Sequence, residues 1–257
     1  MISESKKLLF KTVFIVLDGE ALKKAVVSGK YSAITAISYD LLSLPDFRVR
    51  TKTTALISLT GSEDDIFKKF NDTTRNEIRK SERTEGLKII SDDKNFDGAY
   101  SLYSDFEYSR GEAPFSKKAL KECIVFSAYY NNEIVSGIFV DLGKPYLRVR
   151  YIFSKRLDID DKEAYKIVSN STRRLIWEIC LWGKKNGFVS LDMASVNFKD
   201  PEVAGITKFK MSFGGDVVNE YTYIYKSAAF RYFEKLAYFK IIILRFLYSI
   251  KKIFHGK

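Results

Sequence analysis

Residues 124–154 read I-V-F-S-A-Y-Y, N-N, E-I-V-S-G-I-F-V-D-L, G-K-P, Y-L-R-V-R-Y-I-F-S. Three runs rich in β-branched and aromatic residues are separated by Asn131-Asn132 and by Gly143-Lys144-Pro145, residue types that suit tight turns. The pattern predicts three strands, Ile124–Tyr130, 133–142 and Tyr146–Ser154, paired as an antiparallel meander. Downstream, Ala164, Val168, Leu175, Ile179 and Trp182 keep one face of a long helix over 160–186, which Gly187 ends. A buried strand over 188–194, a helix over 203–213 and a strand over 216–225 complete the series.

Upstream of the meander, Ser62 and Asp65 form a capping box. Ile66, Phe67, Phe70, Thr74 and Ile78 then share a helical face up to Gly86, with a break near residues 71–73. A short strand over 87–91 follows. The helix over 96–110 has Phe96, Tyr100, Tyr103 and Phe106 along one side. Ser116 is placed to cap a shorter helix reaching Glu122. The first 59 residues carry apolar runs at 8–17, 33–39 and 54–59 and a helix near 20–27, the pattern of a small α/β unit. Read whole, the fold class is α/β (α+β): a mixed, largely antiparallel sheet flanked by helices. The expected organisation is an abbreviated N-terminal subdomain over 1–61, a main domain over 62–226 and a basic amphipathic helix over 227–257.

A chain of 257 residues with 46% hydrophobic and 15% aromatic content can bury a substantial core. Its formal charge of +11 suits nucleic acid, anionic lipid headgroups or phosphate-bearing substrates, and composition alone leaves these three open. Cys123 and Cys180 stand far apart without metal-ligand spacing and read as reduced thiols. The one histidine, His255, lies two residues from the end, which excludes the usual histidine-based catalysis or zinc site. Lys6 and Lys7 before the apolar run at 8–17 imitate a signal peptide, but Lys11 interrupts the run and no small-residue cleavage site follows. No uncharged apolar stretch reaches the roughly 18 residues of a membrane span.

Two segments carry a family resemblance. Residues 70–86 read F-N-D-T-T-R-N-E-I-R-K-S-E-R-T-E-G, and residues 205–215 read G-I-T-K-F-K-M-S-F-G-G. The first is similar to an R-x-x-I-R-(K/R)-A-E-R run before a glycine and a strand. The second is similar to G-I-x-x-F-K-x-x-F-G before a last strand. Both patterns occur in the Fem family of aminoacyltransferases that attach aminoacyl groups to cell-wall precursors. The element order β-α-α-β-β-β-α-β-α-β also resembles that of the wider GNAT acyltransferase fold. The similarity covers about residues 54–226. It departs in its abbreviated first domain and in lacking a coiled-coil helix pair, so the chain looks more like shorter relatives associated with surface polysaccharides.

The resemblance implies an N-acyltransferase of bacterial envelope synthesis with no tightly bound cofactor. Its acyl donor would be aminoacyl-tRNA or acyl-CoA, and its acceptor an amine on a nucleotide- or lipid-linked sugar or peptide. Acetyl-CoA users carry an (R/Q)-x-x-G-x-(G/A) turn whose N–H groups hold pyrophosphate, and this chain has none, which favours aminoacyl-tRNA. The short first domain pulls towards acyl-CoA and a sugar N-acetyltransferase. Lys210 matches a family lysine that steadies charge on the acyl oxygen. Asp192 would take a proton from the acceptor ammonium or orient it; the plain alternative is a strand-end cap.

Arg75, Arg79 and Arg83 form one helical stripe suited to phosphates, or a solvated face balanced by Asp72, Glu77 and Glu82. Arg148, Arg150 and Tyr151 lie on the expected central strand, where two arginines on one face require a polar cleft or carboxylate partners. Tyr108 and Arg110 end the helix at which GNAT acceptor pockets open. Phe209 and Phe213 read as core. The tail mixes aromatics with Arg231, Lys235, Lys240, Arg245, Lys251 and Lys252 around a single acid, Glu234. It would either lie in an anionic membrane interface or dock on the core. The expected location is cytoplasmic, peripheral to the inner face of the cytoplasmic membrane. The rival reading is a non-catalytic protein of this fold that binds nucleic acid or membrane.

Overall fold

The structure, a computed structural model, describes residues 2–155 and 161–237. The tail beyond 237, with His255, and the expected helix start at 160 lie outside the described residues. The chain forms two compact units. One comprises Lys52–Glu220; the other is built from Ile2–Thr51 together with the chain from Tyr221 onward. The sequence reading put its boundaries at 61/62 and 226/227, whereas the units divide the chain at 51/52 and 220/221, within two strands. Short turns and periodicity do not mark such a division, because the chain crosses it in extended conformation.

In the larger unit the strand order is β4-β9-β8-β7-β6-β5. β6 (Ile124–Tyr130), β7 (Glu133–Gly143) and β8 (Tyr146–Ser154) form the antiparallel meander, and β5 (Leu87–Ile90) pairs with β6. β9 (Ser190–Val196) lies parallel to β8 and antiparallel to β4 (Arg48–Ser58). Parallel neighbours need a long crossover, and α6 (Lys162–Lys185) supplies it. The Asp161 carboxylate accepts the Ala164 N–H at 2.7 Å to start that helix.

Both faces of this sheet are covered, so β7 is buried almost throughout. Ile138 and Val140 enter a core with Phe126, Leu175, Ile179 and Cys180 of the α6 layer. Between them Phe139 turns the other way, into a core with Tyr103 and Leu102 of α4 (Phe96–Ser109) and with Phe153. Both cysteines are free and buried, and the Cys123 thiol donates to the Asp141 carboxylate at 3.2 Å.

α2 (Glu63–Lys69) and α3 (Asp72–Glu82) replace the one interrupted helix of the sequence reading. Ser62 and Asp65 make the capping box reciprocally. Asn71 leaves helical geometry to cap α3, its Oδ1 accepting the Thr74 N–H at 2.8 Å. The two resembling segments meet here. Phe213, fully buried, packs edge-on against Phe70 at 5.2 Å, and the Asn71 N–H donates to the Ser212 carbonyl at 2.9 Å. Gly214 follows at φ 66, where a Cβ would strike the Lys69 carbonyl, so the F-G pair serves this closure. Ser116 precedes α5 (Lys117–Leu120) but makes no side-chain cap bond. α7 (Ala204–Met211) follows a 3₁₀ turn at Pro201–Val203.

The smaller unit has the order β1-β2-β3-β10. The single strand expected over 8–17 is instead the second arm of a hairpin, β1 (Ile2–Lys7) and β2 (Phe10–Val16). The polar sequence I-S-E-S-K-K hid β1, because a solvated edge strand needs no apolar alternation. α1 (Gly19–Ser28) crosses from β2 to its parallel neighbour β3 (Ala33–Ser38), which pairs with the end of β10 (Asp216–Lys226). Residues 228–237 are helical. Among the described residues no helix is long and apolar enough to cross a membrane.

Candidate active site

The parallel ladder between β8 and β9 has only three rungs, Tyr146↔Ser190, Leu147↔Leu191 and Arg148↔Asp192. Each strand then carries an irregularity. The register of β8 against β7 jumps between Val149 and Tyr151, leaving Arg150 as the extra residue of a bulge. The register of β9 against β4 shifts between Asp192 and Ser195, and Ala194 there adopts φ 59. Bulges bend and twist the strand that holds them. Past them the strands part, and a cleft of about 790 Å³ opens between Val149–Ser154 of β8 and Ala194 of β9.

Its walls come from both helical layers. α4 gives Phe106, Glu107 and, at its end, Arg110; the start of α3 gives Thr73 and Thr74; α6 gives Ser169, Thr172 and Arg173; and α7 gives Ile206, Lys208, Phe209 and Lys210. Among the described residues five cations, Arg110, Arg150, Arg173, Lys208 and Lys210, face one acid, Glu107, a lining that favours an anionic guest. The arginines are held in place. Arg150 pairs with buried Asp141 at 2.8 Å, Arg173 with Glu77 at 2.6 Å, and Arg110 with Glu107 at 3.3 Å. The Arg173 guanidinium also lies over the Phe209 ring at 5.2 Å.

Behind the cleft sits a buried charge cluster. Asp192 has no solvent exposure. Its carboxylate accepts the Thr54 hydroxyl, the Arg148 guanidinium and, at 2.7 Å, the Ala194 N–H. That last bond pins the left-handed residue at which β9 turns from β8. Arg148 reaches the second buried carboxylate, Glu220, at 2.6 Å. Lys210 donates to the Ser195 carbonyl at 2.8 Å. Burial pulls its ammonium down from 10.5 to about 8; the Asp192 carboxylate resists this, the Arg148 guanidinium adds to it, and Glu220 resists it.

Of the residues singled out from sequence, Lys210, Arg110, Arg150 and Tyr151 line the cleft. Burial and the neighbouring Tyr103 raise the Tyr151 phenol above its ordinary value, so it stays a hydrogen-bonding group at neutral pH. Arg148 and Asp192 form the cluster behind. Their mutual pairing meets the cost of placing charge on an interior strand. Tyr108 is 65% exposed and lies off the cleft. The stripe of Arg75, Arg79 and Arg83 also lies off it: Arg75 binds the Lys68 carbonyl at 2.8 Å, Arg79 covers the Phe67 ring, and Arg83 ends α3. Phe209 is a cleft wall as well as a partner of core Phe213.

Glu107 and the trio Ser169, Thr172 and Arg173 were not foreseen. The trio has a signal: polar residues at i, i+3 and i+4 on a helix whose other stripe is apolar. Glu107 has a weaker one, an acid inside the aromatic face of α4.

No family model matches the sequence, and no curated protein matches it. Comparison with solved structures shows a fold shared with FemX and with lysylphosphatidylglycerol synthetase domains. FemX superposes with a TM-score of 0.58 at 11% identity, over 86% of this chain and 82% of that one. L-PGS from Bacillus licheniformis superposes with a TM-score of 0.53 at 15% identity, over 88% and 81%. A domain described as the C-terminal part of a lysylphosphatidylglycerol synthetase, from Agrobacterium fabrum, gives 0.50 at 13%, over 89% and 81%. At these identities the likeness is one of fold.

Proposed function

We propose that the protein is an N-acyltransferase that moves an aminoacyl group onto an amine of a nucleotide- or lipid-linked sugar or peptide precursor of the cell envelope. The observation that carries this reading is the position of Lys210, a half-buried ammonium with a lowered proton affinity, on a cleft that opens where a parallel strand pair separates. Such a cleft presents strand backbone and fixed cations to a reacting carbonyl, and preorganised donors of this kind dominate acyl transfer.

In the proposed reaction the acceptor amine attacks the donor carbonyl carbon and a tetrahedral oxyanion forms. The Lys210 ammonium stabilises that charge and gives a proton to the leaving ribose oxygen as the ester C–O bond breaks. The proton released by the amine restores Lys210, so the step balances. Glu107, the one acid among the described cleft residues, would attract the acceptor ammonium and take the proton it must lose before the amine attacks. Arg110, Arg150 and Arg173 would hold its phosphates. Asp192 would act as a positioning residue that fixes Arg148 and the bend at Ala194. The protein would work at the inner face of the cytoplasmic membrane, with its basic C-terminal segment against anionic lipid.

Aminoacyl-tRNA is favoured over acyl-CoA as donor because the N-terminus of α6 is occupied by acids. Asp161 caps it and Glu163 stands in its first turn. An acidic helix start repels the pyrophosphate that such N–H groups otherwise bind. Titration calorimetry should give a dissociation constant for acetyl-CoA above the order of 100 µM, or less than about 5.5 kcal/mol of binding. Low-micromolar binding would transfer the proposal to the acyl-CoA donor and to sugar N-acetylation.

A further inference from the structure

We infer that the tip of the β1–β2 hairpin, Leu8-Leu9, is a membrane-inserting element that works beside the C-terminal helical segment. This extends the membrane part of the proposed function to a second element and needs nothing from the acyl-transfer chemistry. The register pairs Lys7 with Phe10, so Leu8 and Leu9 alone make the turn. Two-residue hairpins favour Gly, Asn or Asp where φ is positive, yet Leu8 takes φ 54. Leu8 is 73% and Leu9 88% exposed. The sequence thus sets its two bare leucines where turn chemistry opposes them and where water surrounds them.

The neighbourhood names the partner. Phe10, next to the tip, packs on Phe230 at 5.4 Å and Phe233 at 5.1 Å, which places the hairpin against residues 228–237. That segment buries Phe230 and leaves Tyr232 67% and Leu236 53% exposed. Lys6, Lys7 and Lys11 flank the leucines, and Arg231 and Lys235 flank the exposed helix residues, all five in solvent. The nearby acids are already matched: Glu234 pairs with Lys226, and Glu4 with Lys30. Apolar side chains ringed by solvent-facing cations fit an anionic bilayer, into which leucine inserts while lysine stays with the headgroups. The remaining residues, 238–257, contain no acid in sequence and extend the same character.

The test uses the full chain and vesicles of phosphatidylcholine alone or mixed with phosphatidylglycerol. The variant Leu8→Asn/Leu9→Gly replaces the apolar tip by residues suited to the turn, so its melting temperature should equal or exceed that of the parent. Its affinity for the mixed vesicles should fall at least about tenfold, since two leucines leave the bilayer. In Leu9→Trp the added indole should shift its emission to the blue on mixed vesicles and not on phosphatidylcholine. Equal binding by the parent and the double variant, or an unshifted indole, would overturn the hairpin assignment even if the tail binds lipid. A change in solution mass in place of vesicle affinity would make the tip a contact between copies and would equally overturn it.

Discussion

Arg148 and Asp192 face each other across the last rung of the parallel β8–β9 ladder and are joined there by a salt bridge. The rung at which the strands part is therefore also the rung at which a buried guanidinium is neutralised. Arg148 is 11% exposed and its other partner, Glu220, is buried as well. Truncating Arg148 leaves two carboxylates without their cation. We expect Arg148→Met to cost about 3–5 kcal/mol in chemical denaturation, the scale for breaking a buried pair. A loss below about 1 kcal/mol would mean that the cluster does not hold the splay.

Lys210 should behave in the opposite way. Burial of its ammonium is a cost to folding, seen in the fall to about 8. Lys210→Ala should lower turnover by roughly 100-fold, the scale of removing one oxyanion donor, while thermal stability stays level or rises. A variant that loses its fold would make Lys210 structural, and one with full activity would remove it from the chemistry.

The pH dependence carries the sign of that shift. Lys210 has a folded value of about 8 against 10.5 when unperturbed. Between these values the unfolded chain binds the extra proton, so this residue makes stability rise with pH across that window. Activity runs the other way, falling above about pH 8 as the ammonium is lost. Subtracting Lys210→Met from the parent should isolate the stability term, and Lys210→Arg should give a lower rate without the alkaline fall, because arginine stays charged but does not release its proton to the leaving oxygen. A parent rate still level well above pH 8 would contradict the role of the ammonium.

The meander, the long crossover helix and the flanking helices were legible because their hydrophobic periods and turn residues agree. β1 was not, since Ile2–Lys7 is a polar edge strand with no apolar face to read. The site was legible in part. The F-K pair pointed to Lys210, and two arginines on an interior strand demanded partners. The strands that bring Asp192 and Glu220 to Arg148 are far apart in sequence, however, and no local pattern encodes such a meeting. The stripe of Arg75, Arg79 and Arg83 left two readings open, phosphate binding or a solvated face, and it lies off the cleft with Arg75 paired to Asp72. Helical periodicity reports a shared face and says nothing of what that face looks upon; here Arg75 serves backbone carbonyls around the α2–α3 junction.

Acyl transfer in the β8–β9 cleft is tested most directly by following labelled aminoacyl groups. Purified protein would be given a mixture of charged tRNAs with nucleotide-linked and lipid-linked amine acceptors, beside a parallel reaction with acyl-CoA donors. Label should appear on an acceptor from charged tRNA, with the rate reduced by roughly 100-fold in Lys210→Ala. No transfer from either donor class, or transfer that proceeds equally in Lys210→Ala, would contradict it.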